Sequence, residues 1–145
     1  MTSDADLADR LTAKRARLLP VLAVLFLSQQ AIYFSDDPGT PEHVAHFKIA
    51  AWVVMAVVLL LGLATGGALF RSRAVRALMN DETTRLHRLR ACATGFWAAM
   101  MCGVVLFLLD QVTPVTGREA THIIVSAGVA AALLSFGMQE RRALR

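Results

Sequence analysis

Histidines and carboxylates flank two short polar segments of the chain, and these side chains have the clearest capacity to hold a ligand. They are Asp36, Asp37, Glu42, His43 and His46 around the first segment, and Asp110, Glu119 and His122 around the second. Imidazole and carboxylate groups bind transition metals, and two histidines on separate helices can ligate a haem iron. His46 and His122 are therefore the candidate cofactor-binding pair. Because the spacing fixes no mutual geometry, polar side chains facing water are the simpler interpretation.

Other catalytic patterns do not occur in the sequence. It contains no phosphate-binding glycine loop, no nucleophile elbow and no metalloprotease helix, and it predicts no dedicated metal site. The two cysteines, Cys92 and Cys102, stand roughly 15 Å apart along one predicted helix, too far apart for a disulfide. We therefore predict a protein that is not an enzyme.

The elements that carry these residues are long apolar blocks. Hydrophobic residues make up 56% of the 145 residues, and the mean hydropathy is +0.52. Blocks of this kind are stable in a bilayer, where backbone polar groups must be paired within helices. The sequence predicts an all-α polytopic membrane protein with four transmembrane helices in an up-down bundle. Its boundaries are a polar segment at 1–17, helices near 18–34, 46–79, 81–109 and 121–138, and a tail at 139–145.

The placement of basic residues predicts the orientation. Of the 15 lysines and arginines, 13 lie in the N-terminal segment, the middle loop and the tail, and only Lys48 and Arg118 lie on the other side. By the positive-inside rule both termini are cytoplasmic, as in a multi-pass protein of the bacterial inner membrane. The basic residues behind the net charge of +4 are then expected to contact anionic lipid headgroups, and nucleic acid is not an expected partner. His87 is expected in water among the cytoplasmic arginines.

Small residues at helical spacing predict where the helices touch. In lipid, close approach of backbones is a main source of helix association. The predicted packing positions are Gly62, Gly66, Gly95, Ala99, Gly103 and Gly128. The same faces suit either the bundle itself or a homo-oligomer. Ser28, Gln29 and Gln30 are polar within the first apolar block, so we expect them to bond to a neighbouring helix or to line a substrate path.

One short motif resembles other proteins. Asp81, Glu82 and Arg85 form an Asp-Glu-x-x-Arg segment just before the third apolar block. This segment resembles that of small bacterial membrane proteins of uncharacterised families with a similar size and helix number. The resemblance implies a four-helix fold and no activity.

The sequence favours an accessory or regulatory subunit that acts by protein-protein contacts within the bilayer. No charged residue is expected deep in a helix, which argues against a proton- or ion-coupled pump. A haem or transition-metal protein that uses His46 and His122 is one alternative. An immunity protein or small exporter that uses the Gln29 and Gln30 pair is the other.

Overall fold

The computed structural model describes residues 4–34, 41–66 and 82–143, with side chains in the first range described from 10 to 29. These residues form four helices: α1 (Asp4–Phe34), α2 (Glu42–Thr65), α3 (Glu82–Asp110) and α4 (Gly117–Ala143). The predicted all-α fold is confirmed. α1 begins at Asp4, so helix continues through most of the polar segment that precedes the first apolar block.

The ends of α2 and α4 follow from local sequence. Gly66 adopts φ 64°, a left-handed conformation that glycine takes without strain, and its N–H bonds to the carbonyls of Gly62 and Leu63. This cap ends α2 at Thr65, whereas the sequence predicted one helix over 46–79; residues 67–79 of that prediction lie outside the described residues. α4 begins with a capping box, in which Thr116 N–H donates to Glu119 Oε2 at 3.0 Å and Glu119 N–H donates to Thr116 Oγ1 at 3.3 Å.

α4 is the central helix of the bundle, because α1, α2 and α3 all pack against it. α1 runs antiparallel to α4, because Arg15 lies beside Glu140 and Pro20 lies beside Gly137. α3 is antiparallel to α4 as well, because Gly95 lies beside Ala132 and Gly103 lies beside Ile124. α2 runs parallel to α4, since Trp52 lies beside Ser126 and Gly66 bonds to the same Arg15 that pairs with Glu140. The largest fully buried apolar side chains are Phe26, Leu133 and Phe136, in the layer between α1 and α4.

The outward faces of the bundle are apolar. α2, α3 and α4 are each long and apolar enough to cross a membrane. Large side chains such as Val54, Val58, Phe107 and Leu108 are more than half exposed, and α1 exposes Val24 in the same way. Such a continuous apolar exterior suits a hydrocarbon environment and would be unfavourable in water.

Candidate functional site

A cluster of ionisable side chains is buried at the end of the bundle where α1 begins and α4 ends, which we call the inner end. Glu140 of α4 pairs with Arg15 of α1, and their side chains are only 3% and 8% exposed. The second carboxylate oxygen of Glu140 lies 3.2 Å from Nδ1 of His87 on α3. We call Arg15, His87 and Glu140 the inner cluster. It joins three helices through one carboxylate.

Two arginines in this region also pair with backbone carbonyls. Arg15 Nη1 donates to the carbonyl of Gly66 at 2.8 Å, so the end of α2 is tied to the inner cluster. Pro20 lacks an N–H and therefore leaves the carbonyl of Ala16, four residues earlier, without its usual helical donor. Arg141 Nε donates to that carbonyl at 3.1 Å. Polar contacts at the inner end thus link all four helices.

The inner cluster was not predicted from the sequence. His87 was expected in water, and this prediction is wrong, since its side chain is 14% exposed and contacts Glu140. The expectation that no charged residue lies deep within a membrane-spanning segment stays a prediction, because Arg15 and Glu140 belong to the segments predicted to flank the spans. The one available signal was Glu140 itself, an acidic residue in the last turns of a helix, where the helix dipole disfavours negative charge. A charge in that position needs a cationic partner, and Arg15 supplies it.

At the opposite end, the outer end, His122 is buried against Trp52. The two rings stack with centroids 4.2 Å apart, and His122 is 4% exposed. Trp52 Nε1 also donates to Ser126 Oγ at 3.1 Å, one turn further along α4. These contacts join α2 to α4 through two aromatic rings and one hydroxyl.

The structure does not bring His46 close to His122. His46 is exposed and precedes Trp52 by six residues, which is roughly 9 Å along α2 and about a third of a turn away around its axis. His43 is exposed as well. Within residues 4–34, 41–66 and 82–143 no group of three or more His, Cys, Asp or Glu side chains could hold a metal ion. A ligand shared by His46 and His122 stays a prediction that this geometry does not favour.

The polar residues of α1 are only partly described. Ser28 Oγ donates to the carbonyl of Leu25 in its own helix at 2.8 Å. Gln29 is half-buried, and its Oε1 accepts no hydrogen bond from the groups that the structure describes. The side chain of Gln30 lies outside the described residues. The predicted role of this pair therefore stays a prediction.

The small residues of α3 and α4 form the closest helix crossing. A Cβ added at Gly95 would lie 2.6 Å from the carbonyl oxygen of Gly128 and 2.8 Å from Cβ of Ala132. A Cβ added at Gly128 would lie 3.1 Å from Cβ of Ala99. Glycine at 95 and 128 therefore lets the two backbones meet. Gly103 is less constrained, because its added Cβ would meet only Ile124 Cδ1, at 3.5 Å.

The two glycines of α2 differ from those of α3 in what surrounds them. A Cβ added at Gly62 would meet no atom within 4 Å, so none of the described helices packs closely against it. Gly66 is the left-handed cap of α2, and its carbonyl oxygen accepts a hydrogen bond from Arg15. A second close crossing lies elsewhere, at Gly137 of α4, where an added Cβ would lie 2.8 Å from Cδ of Pro20. Gly137 was not among the packing positions predicted from the sequence.

A groove of about 320 Å³ opens between α2 and α3, over the surface of α4. We call it the α2–α3 groove. Leu60 and Leu63 form its α2 wall. Cys92, Phe96 and Ala99 line its α3 side, and Cys92 is exposed. Its surface is almost wholly apolar, and it offers no charged group for acid-base chemistry.

No protein-family model matches the sequence, and no curated protein or solved structure matches the chain. The fold itself defines the class: an all-α bundle whose described residues include three helices long and apolar enough to cross a membrane.

Proposed function

We propose that the chain is a four-span protein of the bacterial inner membrane, with both termini in the cytoplasm, and that it serves as a non-enzymatic accessory or regulatory subunit. In this proposal α1 is the fourth span. Its support is that α1 packs antiparallel along α4 and exposes a lipid-compatible face, including Val21, Val24 and Leu25. The antiparallel order also gathers the basic ends of α1, α3 and α4 at the inner end, as the positive-inside rule requires.

The observation that carries the proposed role is the α2–α3 groove. Its lining is almost wholly apolar, so an apolar helix of another protein can lie in it without burying an unpaired polar group. A large aromatic side chain of α3 lines it, since Phe96 is 57% exposed. Aromatic side chains are enriched at protein interfaces. The occupant we propose is a transmembrane helix of another protein.

The experiment uses the thiol that the groove already contains. A photoactivatable maleimide is attached to Cys92 in a Cys102→Ala background and irradiated in native membranes. The matched control carries the same reagent on Cys102 in a Cys92→Ala background, because Cys102 lies on α3 outside the groove. We expect one protein to be captured through Cys92 and not through Cys102, as identified by mass spectrometry.

A groove variant makes the result specific. Leu60→Trp narrows the α2 wall of the groove, whereas Leu61→Trp adds the same bulk at an exposed position of α2 outside it. Capture should fall at least fivefold with Leu60→Trp and stay unchanged with Leu61→Trp. Capture of a second copy of this chain, of lipid alone, or of the same proteins from both cysteines would refute the proposed role.

A further inference from the structure

A second groove, of about 400 Å³, opens between α1 and α2 at the inner end of the bundle. We call it the α1–α2 groove. Leu18 and Leu22 form its α1 wall, Val58 forms part of its α2 wall, and Phe136 of α4 lies at its floor. Gly62 widens it, since a Cβ added there would meet no atom within 4 Å. Its volume is within the range of small-molecule sites.

The groove has the length of one membrane leaflet. Along α1 it extends from Leu11 to Leu22, which is roughly 16 Å at the helical rise per residue. Half of a hydrocarbon core is about 15 Å thick. A groove that starts at the inner interface and ends near the membrane centre therefore matches an acyl chain running parallel to the helices.

The mouth of this groove is positively charged. Lys14 lines it and is exposed, and Arg10 is exposed one turn earlier on the same helix. Arg15 also lines the groove, but Glu140 pairs with it, so Lys14 supplies the charge that remains for a ligand. Lysine at a membrane interface attracts anionic headgroups. The α2–α3 groove, in contrast, has no basic residue in its lining.

We propose that the α1–α2 groove binds one anionic phospholipid, with its phosphate at Lys14 and an acyl chain against Val58 and Gly62. Assignment to the inner leaflet rests on the proposed topology, whereas binding itself can be measured in detergent without it. The lipid site and the partner site lie in different grooves, so the failure of one leaves the other standing.

The test measures lipid binding to the full chain in mild detergent by native mass spectrometry. Phosphatidylglycerol is the anionic probe, and phosphatidylcholine is the uncharged comparison. We expect phosphatidylglycerol to bind one per chain and at least fivefold more tightly than phosphatidylcholine. Gly62→Leu should remove this binding because the leucine fills the groove, whereas Ala64→Leu adds equal bulk to an exposed position outside it.

The charge is tested separately by Lys14→Gln, which changes no core contact. Phosphatidylglycerol should bind about fivefold more weakly to this variant, as expected for one basic residue near a headgroup. Arg17→Gln is the matched control, because Arg17 is exposed on α1 outside the groove. If Arg17→Gln weakened phosphatidylglycerol binding as much as Lys14→Gln, the lipid would be attracted to the basic surface as a whole and not to the groove, which would contradict the proposal. Unchanged binding to Gly62→Leu, or equal affinity for the two lipids, would overturn the proposal.

Discussion

The α3–α4 crossing at Gly95 allows a sharp test of how this bundle is held together. In Gly95→Ala the new methyl group would lie 2.6 Å from the Gly128 carbonyl oxygen, which is about 0.8 Å inside the 3.4 Å limit of ordinary contact. Both neighbours belong to backbone or to a short side chain, so neither can rotate away. The helices must separate, and an overpacked contact of this kind costs about 1–3 kcal/mol.

The matched control is Gly103→Ala, the same substitution two turns further along α3. Its methyl group would meet only Ile124 Cδ1 at 3.5 Å. Replacing a helical glycine by alanine without a clash stabilises a helix by up to about 1 kcal/mol. We therefore expect the two variants to differ by at least 1 kcal/mol, with Gly95→Ala the less stable.

The assay is the free energy of unfolding from a denaturing-detergent titration, followed by helical circular dichroism. Gly95→Ala combined with Ala132→Gly should recover part of the loss, because one of the two clashing groups is removed. Equal stabilities for Gly95→Ala and Gly103→Ala would refute the close crossing. The close crossing would also be refuted if the double variant, Gly95→Ala with Ala132→Gly, had a larger free energy of unfolding than the native chain.

The same titration checks three other contacts. Glu140→Gln should cost about 3 kcal/mol, because it leaves the buried Arg15 without its counter-charge, and Glu82→Gln, at an exposed site, should change little. Trp52→Phe should cost about 1 kcal/mol through the lost hydrogen bond to Ser126. Gly137→Leu should destabilise the α1–α4 contact by at least 1 kcal/mol, whereas Gly117→Leu should not, since its added Cβ meets nothing within 4 Å.

The fold was largely predictable because apolar block length and small-residue spacing are local properties of the chain. Blocks of membrane-spanning length led to four helices, and the spacing of Gly95 and Ala99 pointed to a close-packed face on α3. The end of α2 was not predicted, because a glycine within a run of apolar residues does not reveal from the sequence that it takes a left-handed conformation. Gly66 ends the helix even though apolar residues follow it.

The polar contacts were predictable only in part, because they depend on which residues of different helices meet. Arg15 and Glu140 are 125 positions apart and look like ordinary interface charges when each is considered alone. Gly137 was missed for the same reason, since its partner Pro20 lies on α1 and no spacing rule connects them. His122 was selected as a ligand candidate together with His46, and the structure stacks its ring on Trp52.

The number of spans is the claim on which the proposed orientation depends most directly. α2, α3 and α4 are long and apolar enough to cross a membrane, and α1 is proposed as the fourth span. Peptide tags placed at the N-terminus, at Gly39 and after Arg145 can be tested by external protease on spheroplasts. If the chain has four spans and both termini in the cytoplasm, only the Gly39 tag is cleaved. Cleavage of the N-terminal tag together with protection of the C-terminal tag would mean three spans and would contradict the proposed topology.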